Sequence, residues 1–340
     1  MAIPSWYLLT VLQDNTYAII FCWIFGVIAL LANPYVIFVC TKIFKRKRKK
    51  KSGTVHTFLI GNLAINDFLG GLYLLILAIA DLNSRIQLDI NLYNLSCIAP
   101  SANCTNRLRN KWILNVGCSI ARGLACFSLQ LSGLLMLLLA IDRFIAIVRP
   151  YGSCYMTIRK ANIIVFLFWL YSILIAIVII ARSEMYRYPY SFDSFINLCY
   201  YSDFFDTIII IVTSISLTTI ILTYLLSVIF YTLIVVSIKR SRRFCSPDSG
   251  NTVTNRIKAE KRIGLMTGLL AITNFISWFP CSIFTIFKLT EAQFVENQFG
   301  DKIGIICFLL LFINSSVNPI MFIVFTSKKF KNYCNGNRST

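Results

Sequence analysis

Acidic side chains are scarce in the apolar stretches of this sequence, and Asp67 sits where a charge is most costly. It lies eleven residues beyond His56 in an apolar run, roughly 16 Å along a helix rising 1.5 Å per residue. An ionisable residue in such surroundings marks a functional site by default. Other apolar runs carry Ser132, the group Asn314, Ser315, Ser316 and Asn318, and the pair Asn33-Pro34. A carboxylate among hydroxyl and amide oxygens could bind a small monovalent cation or share a proton. It could equally belong to a polar cluster that only fixes helix packing, and spacing leaves these alternatives open. A second group is Asp142-Arg143-Phe144, with Glu260 in a later basic stretch offering Arg143 a partner. Plain interface anchoring would explain that charged pair as well. A third feature is proline inside apolar runs, in Trp278-Phe279-Pro280 and Asn318-Pro319. Each removes a backbone hydrogen bond and bends its helix, so the inner halves of two helices can swing. Nothing resembles an enzyme site: the one histidine, His56, lies at the edge of an apolar run, and no nucleophile–base pair or metal spacing is visible.

The elements that must position these residues follow from composition. The chain has 340 residues, 57% of them hydrophobic and 14% charged, against about 25% charged in soluble domains. Apolar runs fall at about 17–41, 56–80, 115–147, 161–181, 206–238, 262–287 and 303–326. Each is long enough to cross a hydrocarbon core of roughly 30 Å. A soluble protein could bury one such run as a central helix, but not seven in a chain of this length. The expected fold is all-α, a seven-transmembrane helix bundle with a short amphipathic helix at Ser327–Tyr333. The expected organisation is an outer N-terminus at 1–16, the bundle at 17–326, and an inner helix and tail at 327–340.

Charge placement sets the orientation. Lys42 and Lys45–Lys51 follow the first span, Arg149, Arg159 and Lys160 the third, and Lys328, Lys329 and Lys331 the last. Lys239, Arg240, Arg242, Arg243, Arg256, Lys258, Lys261 and Arg262 lie between the fifth and sixth. Cytoplasmic loops hold the excess of Lys and Arg, which puts the N-terminus outside and the C-terminus inside. The net charge of +19 is thereby explained by topology and by anionic head groups, without nucleic acid. Met1–Asp14 lacks a basic start, so the first span is expected to be its own insertion signal, with no folded outer domain ahead of it. Cys22, Cys40, Cys126, Cys281 and Cys307 fall within spans and read as small apolar filler. Cys97, Cys104, Cys118 and Cys199 fall on the oxidising side, where disulfides persist. Sequons at Asn94 and Asn103 share that side, in one loop.

In order along the chain, Asn33, Leu63-Ala64-Ile65-Asn66-Asp67, Cys118, Asp142-Arg143-Phe144, Trp169, Tyr231, Trp278-Phe279-Pro280 and Asn318-Pro319-Ile320-Met321-Phe322 resemble the motifs of the rhodopsin-like G-protein-coupled receptors, one or two per span. The resemblance runs from Tyr17 to Cys334. It implies a Cys118–Cys199 disulfide tethering an outer loop to the third span. It implies a sodium pocket of Asp67, Ser132, Asn314, Ser315 and Asn318, with sodium as an allosteric ion and no other cofactor. It implies that Trp278 relays ligand occupancy, and that Arg143, held at rest by Asp142 and Glu260, is released to meet a heterotrimeric G protein. An extracellular ligand, a plasma-membrane location and a lipid bilayer around the spans are implied with it. Phe144 and Phe322 replace tyrosines, and the hydroxyl lost at 322 would have helped bridge to Tyr231. Thr223 stands where the fifth span usually has a proline. The stretches Asp67–Leu75, Trp112–Cys118, Ile313–Pro319 and Phe325-Thr-Ser-Lys are similar to the relaxin and glycoprotein-hormone branch, whose leucine-rich ectodomain is absent from this chain.

The resemblance also narrows ligand classes. Phe312 occupies the opsin lysine position and Ala125 the amine-receptor carboxylate position. Arg122, one turn below Cys118, could meet an acidic ligand, but snorkelling to the outer interface is the expected outcome. Cys97 and Cys104 could form a second disulfide, and Cys334 is a palmitoylation candidate. Two other functions remain in view: a receptor-like binding protein that couples poorly, as Phe322 permits, and a small ion transporter using Asp67. Seven spans without an internal repeat argue against the transporter.

Overall fold

The structure, a computed structural model, describes residues 10–49, 55–93, 112–113, 115–148, 156–185, 198–199, 206–244, 268–270, 272–284, 287 and 298–336. The described residues form the helices α1 (Thr16–Lys49), α2 (Val55–Tyr93), α3 (Val116–Val148), α4 (Ile158–Met185), α5 (Thr207–Phe244), α6 (Gly268–Phe284), α7 (Gln298–Leu310) and α8 (Asn314–Gly336). Among the described residues there is no strand. Six stretches among the described residues are long and apolar enough to cross a membrane, and α6 is a shorter apolar helix. The fold is a seven-helix bundle.

Burial says which helices face lipid. In the apolar window of α3, 72% of the residues are buried, against 28% in those of α1, α4 and α5. Helix α3 packs on α2, α4 and α5, while α8 packs on α1 and α2. Large apolar side chains remain exposed along the outer helices, among them Leu31, Phe38, Phe166, Leu174, Ile221 and Leu225. Such an outward apolar surface is stable only in hydrocarbon, since helices satisfy their own backbone groups there. The chain is a multi-pass membrane protein.

Close backbone approach sets the distances at the polar core. A Cβ on Gly71 would lie 2.4 Å from Ala29 Cβ, and one on Gly70 2.4 Å from Ser315 Oγ. Small residues thus draw α1, α2 and α8 together, as is common where helices pack in membranes. The seventh span differs from the single helix expected over 303–326. Residues 311–313 form turns in which Leu311, Phe312 and Ile313 donate to Phe308, Leu309 and Leu310 at 3.0–3.1 Å. These i→i−3 bonds wind the chain more tightly and divide the span into α7 and α8 just before Asn314. Helix α8 then runs past Pro319 to Gly336, so the short helix expected at 327–333 is continuous with the span.

Candidate functional site

The end of the bundle that carries the disulfide is capped by the chain itself. Residues Thr10–Asn15 precede α1, and all but Asp14 are buried. Val11 and Leu12 enter an apolar cluster with Tyr73, Leu77, Leu198, Phe308 and Phe312. The Leu12 amide donates to Asp81 Oδ1 at 2.7 Å, and Arg85 bridges Asp81 and Asp14 at 2.8 and 2.6 Å. Asn15 Nδ2 reaches the Lys302 carbonyl on α7 at 2.9 Å. Gln13 and Asp14 take φ of 52° and 51°, the left-handed turn that folds the segment inward. No periodicity marks six such residues, so they were not singled out from sequence.

Cys118 and Cys199 are joined by a disulfide. Tyr73 Oη donates to the Leu198 carbonyl at 2.8 Å, which seats that loop in the bundle. Arg122 does not snorkel: it is 7% exposed, donating to Ser183 Oγ at 2.5 Å and to the Cys199 carbonyl at 3.3 Å. Acceptors on α4 and on the disulfide loop hold it inside the bundle. Arg182 and Asp206 tie α4 to α5 through two hydrogen bonds of 2.7 and 2.9 Å. The Arg182 guanidinium holds the Asp206 carboxyl below the usual carboxylate range.

The polar core lies mid-bundle. Asp67 is 2% exposed and accepts from Asn318 Nδ2 at 2.8 Å. Asn33 Nδ2 donates to the Ala29 and Ser315 carbonyls, both at 2.8 Å. Asn314 Nδ2 turns toward α6, donating to Asn274 Oδ1 and Ser277 Oγ, both at 2.9 Å. Asn274 and Ser277 lie outside the sequence motifs, and their signal is two polar residues three apart in an apolar helix, just ahead of Trp278. Ser315 is buried beside Gly70. Ser132 is half-buried on α3 and takes no part in the Asn318–Asp67 bond or in those from Asn314 to α6. The amide oxygens of Asn33, Asn66, Asn314 and Asn318 are buried without hydrogen-bond partners. An orphaned buried acceptor is costly, and Asn318 among these residues is bonded to the Asp67 carboxylate.

At the opposite end, Arg143 Nη2 and Nε both donate to Asp142 Oδ2, at 2.5 and 3.0 Å. Phe144 stacks at a tilt on Phe230, with ring centroids 5.2 Å apart. Tyr231 is buried with its hydroxyl unpartnered. Phe322 is buried in the apolar core of this half with Leu63, Leu135 and Leu139. Trp278 packs against the cluster of the disulfide end, one turn beyond Asn274. Pro280 and Pro319 lie inside α6 and α8.

Glu260, Cys97, Cys104, Asn94 and Asn103 lie outside the described residues, as do Lys50, Lys51, Arg149, Arg256, Lys258, Lys261 and Arg262 of the basic stretches. Cys334 falls on α8, but its side chain is not among those described.

A buried carboxylate on the second of seven membrane helices, an Asp-Arg pair on the third, prolines in the sixth and seventh spans, and a disulfide from the third helix to a loop define a heptahelical receptor. The sequence profile of the 7 transmembrane receptor (rhodopsin family) matches residues 32–322, and the chain belongs to that family. It is 24% identical over 317 residues to relaxin receptor 1 of Mus musculus, covering 92% of this chain and 37% of that protein. It is 26% identical over 308 residues to a probable glycoprotein hormone G-protein coupled receptor of Anthopleura elegantissima, covering 90% and 29%. Over 169 residues it is 34% identical to G-protein coupled receptor GRL101 of Lymnaea stagnalis, covering 49% of this chain and 13% of that one. The chain thus spans well under half the length of these relatives.

Proposed function

We propose that the chain is a plasma-membrane receptor, N-terminus outside, that answers an extracellular ligand by opening the Arg143 end of α6 to a heterotrimeric G protein. One observation carries this reading. Asn314 clamps α6 through Asn274 and Ser277, both on the inner side of Pro280, where α6 would bend. Outward movement of that half breaks both bonds, so the clamp belongs to a resting state and its loss to an active one. A ligand shifts such an equilibrium only by its differential affinity for the two states. Arg143, bound to Asp142 at rest, is then released toward the G protein. Sodium would be held by Asp67 with the amide oxygens of Asn314 and Asn318 and the hydroxyls of Ser132 and Ser315, neutralising a buried charge in the resting state. Guanine-nucleotide exchange on a panel of purified G proteins tests the reading, in membranes containing wild type, Glu260→Ala or Arg143→Ala. Exchange should rise in Glu260→Ala and vanish in Arg143→Ala. Silence of every variant at confirmed surface expression would refute it.

Weak coupling is a second reading, favoured by the unpartnered Tyr231 hydroxyl and by Phe322. Phe322→Tyr should raise exchange severalfold, and Tyr231→Phe should cancel the gain. If Phe322→Tyr changes nothing, the missing hydroxyl is not what limits coupling.

A further inference from the structure

His56 is the only histidine in the chain, and nothing above uses it. It sits at the Arg143 end of α2 with its side chain 15% exposed, and its Nδ1 lies 3.7 Å from Asp142 Oδ2. That oxygen is the one that accepts both Arg143 bonds. The distance is that of an ion pair, not of a hydrogen bond, so the contact gains strength only when the ring is charged. Asp142 is the one acidic side chain among the described residues at this end. The charged side chains described on the neighbouring elements are cations: Lys42, Lys45 and Arg46 on α1, Arg143 on α3, and Arg159 and Lys160 on α4. Tyr231 of α5 packs beside Ala140, within a turn of Arg143. A permanent cation and a titratable imidazole therefore face the same carboxylate oxygen.

We propose that His56 is a positioning residue for Arg143, its imidazolium taking over the Asp142 carboxylate when Arg143 leaves, so that acid on the inner side favours the coupling state. The inference rests on the receptor reading for its consequence, but not for the contact itself. Two effects act in the same direction. At rest, a charged His56 repels the Arg143 guanidinium across the shared oxygen, which loosens the resting pair. After release, Asp142 would otherwise be a buried charge without a partner, a costly state, and the imidazolium supplies one. Protonation of His56 and release of Arg143 thus favour each other, and this linkage gives the sign. Activity from this source is present at low pH and is lost as pH rises through the titration of the ring. Histidine is the side chain suited to this range, with an ordinary midpoint of about 6.5.

The contact is tested first, without any G protein. A receptor carrying isotope-labelled histidine gives one imidazole signal, followed from pH 5 to 8 in wild type, Asp142→Asn and Arg143→Ala. The midpoint should move down in Asp142→Asn and up in Arg143→Ala, and an unmoved midpoint in both would overturn the proposal. The consequence is tested by nucleotide exchange between pH 7.5 and 6.0, taken as the ratio of wild type to His56→Gln so that the G protein's own pH response cancels. The ratio should rise at least about twofold on acidification, where a tenfold rise corresponds to one unit of difference in proton affinity between the states. His56→Asn provides a second variant if His56→Gln expresses poorly. A ratio flat across the range overturns the proposal. Exchange absent from every variant refutes the receptor reading as well, while the imidazole titration still decides the contact.

Discussion

Removing the clamp on α6 without touching α8 should open the bundle by a calculable amount. Asn274→Ala and Ser277→Ala together delete both acceptors of Asn314 Nδ2, which now stand at 2.9 Å. Hydrogen bonds between membrane helices contribute about 0.6 kcal/mol each on average, and at most roughly 1.7. Two average bonds give about 1.2 kcal/mol, an approximately eightfold change in the equilibrium between clamped and open forms. A resting ratio near 1:99 would become roughly 8:99, a population within reach of fluorine NMR. Gly268 at the start of α6 is a suitable reporter site, because a Cβ there meets nothing within 4 Å. A trifluoromethyl label on Gly268→Cys, in a background without other reactive thiols, should show the open signal growing severalfold in the double variant. Each single variant should give a smaller increase, since Asn314 keeps one acceptor in either. An open population unchanged within about twofold in the double variant would refute the clamp.

Other consequences concern separate parts of the molecule. Asp67→Asn should abolish the effect of sodium on basal nucleotide exchange; a sodium response of wild-type size in that variant would remove Asp67 from the ion site. The Arg182–Asp206 tie is built on a carboxyl held below its ordinary range, so its stabilisation is present above about pH 4 and lost as pH falls through the depressed value. The thermal stability lost in Asp206→Asn should accordingly stay constant from pH 8 to 5 and shrink only in stronger acid, as followed by unfolding of the purified receptor. Gly71→Ala should push α1 from α2, since its Cβ would stand 2.4 Å from Ala29 Cβ; overpacking of this kind costs about 1–3 kcal/mol. A clear drop in apparent Tm is expected, and an unchanged Tm would show that the helices separate without cost.

The fold was largely legible, because hydrocarbon imposes a coarse rule: long apolar runs become helices, and basic loops face one way. Asp67, Arg143 and Pro280 could be found for the same reason, as exceptions to apolar monotony whose order along the chain matches a known family. Where the chain departs from regular helix, the signal disappears. Leu311-Phe312-Ile313 is as apolar as its neighbours, so nothing in composition separates a tight turn from α-helix there. Thr10–Asn15 has no period of its own, and its burial depends on Asp81 and Lys302, which are distant in sequence. Arg122 was expected at the interface because its acceptors, Ser183 and the Cys199 carbonyl, come from other elements. Asn274 and Ser277 are legible as polar residues in an apolar helix, but their partner Asn314 lies 37 or more residues away, so the sequence does not show what restrains the bend at Pro280. That Asn314 reaches α6 rather than Asp67 depends on a side-chain rotamer, which sequence does not specify.

The central claim is that the Arg143 end of the bundle opens to a G protein, and trapping the complex tests it most directly. The Asn274→Ala, Ser277→Ala receptor would be mixed with each heterotrimer of the panel, bound nucleotide removed enzymatically, and the mixture resolved by size-exclusion chromatography. At least one heterotrimer should co-elute with the receptor, and adding Arg143→Ala should release it. If a folded, monodisperse receptor retains no heterotrimer of the panel, coupling is contradicted, and sodium flux through reconstituted liposomes would decide whether Asp67 serves transport instead.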